Sequence, residues 1–428
     1  MKFTELPFSS DLLDGLNAIG FEELTPIQEE AIPHILEGKD IIACAQTGTG
    51  KTAAFLLPIM ERINRDKSRK GIQGLIIAPT RELVMQIDQQ VEGLSYFASV
   101  NSFSVYGGSE ANIFDRQKMA IQEGCDLLVA TPGRLLQHIN LGYVDWSELK
   151  YLVLDEADRM LDMGFYEDIM RIFKKLPKEK QCLLFSATFP PKIRSMAKQM
   201  LQDNHAEVSI AVSRPADKIE QTAVMLYDEQ KNKYLQNHLS KHKYQSLIIF
   251  ASTKKAVKDL YRDLSKLPYA IGSIHSDLEQ NERTEVMRDF KSGKLNILVA
   301  TDIVSRGIDI DTIELVVNYN VPSDPEDYVH RIGRTARAER DGKAITLVND
   351  ADVRSFNRIE KLIGGEVLKE DPEIDLGRRP EYKIIGKGGG GKGNFNRNKK
   401  RNPNHKNSSK RPYRPKGKNN RGPKPSGE

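Results

Sequence analysis

The chain has 428 residues, 39% of them hydrophobic and 29% charged, the composition of a soluble protein with room for two or three domains. No apolar run approaches about eighteen residues, and the start, Met1-Lys2-Phe3-Thr4-Glu5, has no basic region leading into an apolar one, so neither a membrane span nor secretion is expected. The net charge of +5 is unevenly placed, because residues 386–428 hold 14 Lys and Arg against one acid, a local +13 that leaves −8 on the rest.

In chain order, Leu12, Leu13, Leu16 and Ile19 recur at helical spacing. Thr25-Pro26-Ile27-Gln28 has the form of an N-cap followed by proline and predicts a helix from Pro26 to about Leu36. Gln28 on such a helix is ordinarily solvated, although its amide offers the donor and acceptor that adenine N6 and N7 require. The apolar run Asp40-Ile41-Ile42-Ala43-Cys44 reads as a buried strand. Ala45-Gln46-Thr47-Gly48-Thr49-Gly50-Lys51-Thr52 follows it with the G-x-x-x-x-G-K-[ST] shape, Ala taking the first glycine position. Backbone N–H groups of such a loop wrap a β-phosphate at a helix N-terminus, Lys51 reaches the β- and γ-oxygens, and Thr52 holds Mg²⁺.

Further apolar runs at residues 74–79, 126–130, 151–155 and 181–186 alternate with helical patterns. This alternation predicts a doubly wound parallel α/β sheet, whose ligands bind at the carboxyl ends of its strands. Polar residues stand at those ends: Thr49 to Thr52, Thr80-Arg81, Thr131 with Arg134, Asp155-Glu156, and Ser186-Ala187-Thr188. In Asp155-Glu156-Ala157-Asp158, Asp155 is placed to hold a Mg²⁺ water shell opposite Thr52, and Glu156 to orient or deprotonate an attacking water. Acids after a strand are commonly only a helix N-terminus in favourable dipole contact. The phosphate loop upstream tips the reading towards catalysis.

The pattern breaks around residues 204–217, at Arg214-Pro215, and a linker is set at 206–217. Alternation resumes with runs at 246–250, 270–274, 296–300, 315–319 and 344–348, a second α/β domain without a phosphate loop. It carries Thr301-Asp302, Arg306-Gly307-Ile308-Asp309, and His330-Arg331-Ile332-Gly333-Arg334-Thr335-Ala336-Arg337, the last read as a helix with cations three apart. A single positive helix is commonly a solvated face. In a domain that cannot hold nucleotide alone, donation across a cleft to a γ-phosphate gives these arginines a role. Beyond Leu376 come Gly388-Gly389-Gly390-Gly391 and Asn-, Lys- and Arg-rich sequence with Phe395 and Tyr413 as the only aromatics, which cannot form a core and is expected to be disordered. The boundaries read from this are 1–29 for an N-terminal region, 30–205 and 218–376 for the two domains, and 377–428 for the tail. Cys44, Cys125 and Cys182 lie far apart in or beside apolar runs, as small core residues do.

These motifs, in this order, resemble the DEAD-box family of ATP-dependent RNA helicases from about Phe3 to Ile363. Gly20-Phe21 through Thr25-Pro26-Ile27-Gln28 is similar to the adenine-sensing Q motif, which turns Gln28 and Phe21 into nucleotide contacts. Ala45 to Thr52 is like motif I, Pro79-Thr80-Arg81-Glu82-Leu83 like Ia, Gly107-Gly108 like the GG element, Thr131-Pro132-Gly133-Arg134 like Ib, Asp155 to Asp158 like the motif that names the family, and Ser186-Ala187-Thr188 like III. Gln280 to Arg283, Thr301 to Asp309 and His330 to Arg337 resemble IVa, V and VI.

The resemblance implies two tandem RecA-like domains that close on ATP-Mg²⁺ and a single RNA strand and separate short duplexes locally. It implies that Gln46, Thr47, Gly48, Thr49, Gly50, Lys51 and Thr52 hold the phosphates and Asp309 the ribose. Arg334 and Arg337 would be arginine fingers, and Ser186 and Thr188 would bond Asp158 and, with His330, couple hydrolysis to closure. Thr80, Arg81, Gly108, Thr131, Arg134, Arg283 and Thr301 would hold RNA phosphates and sugars without reading sequence. Ser305 and Ala336 depart from the family's usual Ala and Gly. A cytoplasmic, monomeric catalytic core working on RNA is expected, with ribonucleoprotein or ribosome-assembly partners left open. From the motifs alone, an ATP-dependent RNA clamp remains an alternative, and so does a small-molecule phosphotransferase, which would leave the second domain's arginines without work.

Overall fold

The four-residue runs Ile41-Ile42-Ala43-Cys44, Gly74-Leu75-Ile76-Ile77 and Leu127-Leu128-Val129-Ala130 have no polar side, so they stay dry only in a sheet covered on both faces. The computed structural model, which describes residues 1–45, 48–108, 112–210, 219–301, 313–335 and 342–383 apart from the Gln280 side chain, shows two such sheets. The first is built from β1 (Ile41–Cys44), β2 (Gly74–Ile77), β3 (Ser102–Val105), β4 (Leu127–Ala130), β5 (Tyr151–Leu154), β6 (Gln181–Ser186) and β7 (Ala206–Ser209). Its order is β3-β4-β2-β5-β6-β1-β7, all parallel. The second is built from β8 (Ile219–Met225), β9 (Leu247–Phe250), β10 (Ile271–Ile274), β11 (Ile297–Ala300), β12 (Leu315–Asn318), β13 (Gly342–Val348) and β14 (Leu368–Glu370). Its order, β10-β11-β9-β12-β13-β8-β14, repeats the first strand for strand.

Period-two alternation divides each strand between two cores. Ile41, Ala43, Ile76, Val153, Leu183 and Phe185 face the side covered by helices Ser10–Ala18, Pro26–Leu36 and Lys51–Arg65. Ile42, Leu75, Ile77, Leu152, Leu154 and Leu184 face the side covered by Pro132–Asn140, Tyr166–Phe173 and Pro191–Met200. Because every strand is parallel, all their carboxyl ends lie along one edge of each sheet.

Three expected boundaries move. Residues 1–29 have no separate core: Phe3, Leu12, Leu16 and Ile27 pack into the first domain, and buried Glu61 accepts from both the N–H (2.9 Å) and hydroxyl (2.8 Å) of Ser9. The linker set at 206–217 begins inside β7, which extends the sheet edge beside β1. The tail does not begin at 377. Gln230 Nε2 donates to the carbonyls of Leu376 (2.8 Å) and Arg378 (2.9 Å), and the Tyr382 ring meets Phe356 edge-on at 6.1 Å while its hydroxyl bonds Glu360. The expectation of disorder concerns, beyond that, residues 384–428, which lie outside the described residues.

Cys44, Cys125 and Cys182 are buried and unpaired, with burial pushing the last two thiols up to about 12. No described helix is long and apolar enough to cross a membrane.

Candidate active site

The loop after β1 leads into helix Lys51–Arg65 through Gly50, whose φ of 90° is a left-handed conformation that glycine adopts without cost. Gly50 is also crowded: a Cβ there would lie 2.5 Å from Gln28 Nε2 and 2.9 Å from Thr25 Oγ1. Gln28 is buried, and its amide is committed at both ends. Oε1 accepts from the Thr25 N–H at 2.9 Å, and Nε2 donates to the Gly50 carbonyl at 3.1 Å. The solvated reading of Gln28 is therefore wrong, and its amide ties the N-terminal segment to the loop after β1. Phe21 stands beside this segment, 39% exposed and stacked on Phe3 at 6.2 Å. Gly48 also has positive φ, 83°, and Thr49 and Thr52 are half-buried. Gln46 and Thr47 lie outside the described residues.

Lys51 is 6% exposed, and its Nζ has no hydrogen-bond partner among the described residues. A buried ammonium without a partner is costly unless an anion completes it. Two acids from the end of β5 adjoin it. Asp155 is pushed up to about 6, chiefly by burial, against the pull of Lys51. Glu156 also suffers from burial, but Arg159, Lys51 and Arg334 together hold its carboxyl below the usual range. Arg159 Nη1 donates to Glu156 Oε2 at 2.8 Å. Glu156, with φ of 51°, is the one residue other than glycine with positive φ among those described, and such a conformation costs about 1 kcal/mol or more. The donor set beside Lys51, a threonine hydroxyl at 52 and a carboxylate at 155, is all oxygen, which suits Mg²⁺.

Asp158 opens a second set. Its Oδ2 accepts from the N–H groups of Ala187 (3.1 Å) and Thr188 (2.9 Å), while its own N–H donates to Ser186 Oγ at 3.2 Å. Thr188 thus reaches Asp158 through its backbone, and its side chain lines the cleft opposite Glu326 of the second domain, whose carboxyl it steadies. Sequence reasoning missed Glu326. Burial, then Asp324, raise its carboxyl to about 7, with Asp158 and Asp162 adding to the rise against the Thr188 bond. A cleft of about 380 Å³ opens here, with Glu156, Asp158 and Thr188 on one side and Glu326, His330 and Arg334 on the other.

The helix expected over 330–337 ends earlier. It runs Pro325–Ile332 with Gly333 as its C-cap, and Arg334 follows in a turn, 4% exposed, with Nε donating to the His330 carbonyl at 3.3 Å. Gly333 is no helix former, and the turn swings Arg334 towards Glu156 rather than along a solvated face. Arg331 is a core link instead, donating to Asn318 Oδ1 at 3.0 Å and the Asn320 carbonyl at 2.9 Å. Arg337, Ala336, Asp309 and Ser305 lie outside the described residues.

The remaining residues expected at the strand ends form a third set. Thr80 caps helix Arg81–Ser95, accepting from the Leu83 N–H at 3.3 Å, and Thr131 is the N-cap of Pro132–Asn140. Arg81 sits over the Tyr106 ring at 4.4 Å, and a Cβ on Gly108 would lie 3.3 Å from its Nη1. Arg134 donates to the Tyr106 carbonyl at 3.2 Å. In the second domain Arg283 donates to the Ser276 carbonyl at 3.1 Å, and Thr301 follows β11. Arg81 Nε and Arg283 Nε, like Lys51 Nζ, are buried without a partner among the described residues.

Comparisons agree with this architecture. Residues 25–196 match a family model described as DEAD/DEAH box helicase, and residues 230–339 one described as helicase conserved C-terminal domain. The chain is 44% identical over 360 residues to ATP-dependent RNA helicase CshA of Listeria monocytogenes, covering 84% of this chain and 68% of that one. It is 40% identical over 384 residues to ATP-dependent RNA helicase DbpA of Bacillus subtilis, covering 89% and 79%. Among solved structures, S. cerevisiae Dbp5 bound to RNA and ADP BeF3 superposes with a TM-score of 0.78 at 33% identity, covering 87% of this chain and 96% of that one.

Proposed function

The chain belongs to the DEAD-box family of ATP-dependent RNA helicases, and from that premise we propose that it hydrolyses ATP in the cleft between its two sheets to bind a single RNA strand and separate short duplexes locally. The observation that carries the reading is the buried Lys51 ammonium, without a hydrogen-bond partner among the described residues, beside Asp155 and Glu156 at the carboxyl end of β5.

In this reading Lys51 and the loop amides bind the β- and γ-phosphates, and the Gln28–Gly50 bond couples occupancy of the adenine side to loop shape. Thr52 and Asp155 would hold Mg²⁺, which would neutralise charge on the phosphates. Glu156, ionised and aimed by Arg159, orients the attacking water and takes its proton. Arg334 enters from the second domain against the charge that develops in transfer, and Arg337 is proposed to join it. Asp158, held by Ser186, Ala187 and Thr188, carries the state of this site to the cleft, where Thr188 and Glu326 meet. Thr80, Arg81, Gly108, Thr131, Arg134, Arg283 and Thr301 hold the RNA backbone, and the basic tail tethers RNA nearby without reading sequence. The reading includes a cytoplasmic location and a monomeric catalytic core.

The test is ATP turnover with and without single-stranded RNA, together with displacement of a strand from a short duplex. Turnover should rise with RNA, and displacement should require ATP. Turnover indifferent to RNA would sink the reading, and RNA-stimulated turnover without displacement would leave a clamp.

A further inference from the structure

We infer that Tyr106 and Phe114 are positioning residues for RNA, two aromatic platforms that hold the guanidinium groups of Arg81 and Arg134 at a fixed spacing before the strand arrives. The inference rests on the reading that Arg81 and Arg134 bind the RNA backbone.

Arginine side chains have several rotatable bonds, and ordering them on binding costs affinity. Here that ordering is already done. Arg81 lies over the Tyr106 ring at 4.4 Å, and Arg134 lies over the Phe114 ring at 5.3 Å. Both distances fall within the range where a ring face attracts a cation. A ring beneath a guanidinium engages one flat side and leaves edge N–H groups for phosphate. On Arg81 the Nε is buried, and on Arg134 the Nε is held by the Tyr106 carbonyl and Nη1 by Gln137 Oε1 at 3.2 Å, so the terminal Nη groups that remain face the strand. The Tyr106 backbone ties the two platforms together, because its carbonyl accepts from Arg134 Nε at 3.2 Å and from Gln117 Nε2 at 2.9 Å.

A buried relay locks that carbonyl in place. Gln117 Oε1 is an acceptor, so the His138 Nε2 that meets it at 3.1 Å carries the proton, and Nδ1 accepts from the Tyr143 hydroxyl. The His138 ring also stacks on Phe114 with centroids 4.3 Å apart and planes 9° from parallel. One neutral imidazole thus braces both platforms, by a hydrogen bond through Gln117 to Tyr106 and by ring contact with Phe114.

The experiment uses the full chain with a non-hydrolysable ATP analogue and fluorescent single-stranded RNA. Tyr106→Leu keeps bulk and backbone but removes the ring face. It should raise the RNA Kd about tenfold and raise KM for RNA in turnover, while kcat at saturating RNA stays near the parent's. Tyr106→Phe should behave as the parent. In an Arg81→Ala background Tyr106→Leu should add little, because the platform no longer has a cation to hold. Phe114→Leu paired with Arg134→Ala gives an independent cycle should Tyr106→Leu fold poorly. Losses that add fully in both cycles, or leucine variants within twofold of the parent while Arg81→Ala and Arg134→Ala bind weakly, would overturn the positioning role and leave the RNA reading standing. Arginine variants that bind RNA like the parent would overturn both.

Discussion

Arg159 Nη1 donates to Glu156 Oε2 at 2.8 Å across one turn of helix, and the pair is buried at the end of β5 with Glu156 in a left-handed backbone conformation. The bond holds this cleft-lining carboxylate in place, and Arg159 together with Lys51 and Arg334 keeps it below the usual range despite burial. Glu156→Gln should therefore keep ATP binding and lose hydrolysis by ~10²-fold or more, the scale of a lost general base. Lys51→Ala should instead weaken ATP binding. Equal loss of ATP affinity in both variants, measured by titration with a labelled nucleotide, would contradict this division of labour.

Gly50 is held by its own geometry and by Gln28. A Cβ at φ of 90° is strained, and it would meet Gln28 Nε2 at 2.5 Å. Gly50→Ala should cost stability and weaken ATP binding together, whereas Gln28→Ala, which unpairs the Thr25 N–H and the Gly50 carbonyl at a cost of about 1–3 kcal/mol but forces no atom into the loop, should weaken ATP binding with a smaller fall in melting temperature. Melting curves with and without nucleotide distinguish the two, and a Gly50→Ala variant with parental ATP affinity would show that the loop tolerates the displacement.

Arg334 approaches Glu156 from the second domain in a turn after Gly333. Arg334→Ala should lower turnover by ~10³-fold if it meets the γ-phosphate in transfer, with ATP binding largely kept. Turnover within a few-fold of the parent would reduce Arg334 to a cleft-lining cation.

His138 makes stability depend on pH. Burial, aided by Arg134, lowers its pKa from 6.5 to about 4, so the unfolded state binds a proton in the window between these values and the folded state does not. Its contribution is fully present above 6.5 and is lost as pH falls towards 4, on the order of 3 kcal/mol at the limit. His238, lowered to about 4 chiefly by burial, acts in the same direction. Urea midpoints between pH 7.5 and 4.5 should fall less steeply for His138→Gln than for the parent, and equal slopes would remove His138 from the account.

The tail, with its local +13 against −8 elsewhere, should act on RNA through counterion release. If about four phosphates are engaged, truncation after Lys383, which keeps Tyr382 on the second domain, should flatten log K against log salt by ~3, at roughly 0.7 per contact for single strands. ATP turnover at saturating RNA should change little. Identical slopes with and without the tail would leave it a solubilising role.

Local chemistry was enough to read much of this protein in one dimension. Ten apolar runs announced ten strands, most of them buried on both faces and so without a polar side, and the loop ending in Gly50-Lys51-Thr52 stood out because the phosphate binding proposed for it calls for those residues in that order. The strands β3, β7, β8 and β14 were not legible. β3, β7 and β14 are edge or partly exposed strands that mix polar residues among apolar ones, and β8 carries Glu220 and Gln221 within its run. What folding alone decided are the pairings between residues far apart in sequence. No spacing rule joins Gln28 to Gly50, Thr188 to Glu326, or Arg81 and Arg134 to the rings of Tyr106 and Phe114. Those partners meet because parallel strands deliver their loops to one edge, where burial removes water and leaves each cation or amide to find its partner in the protein.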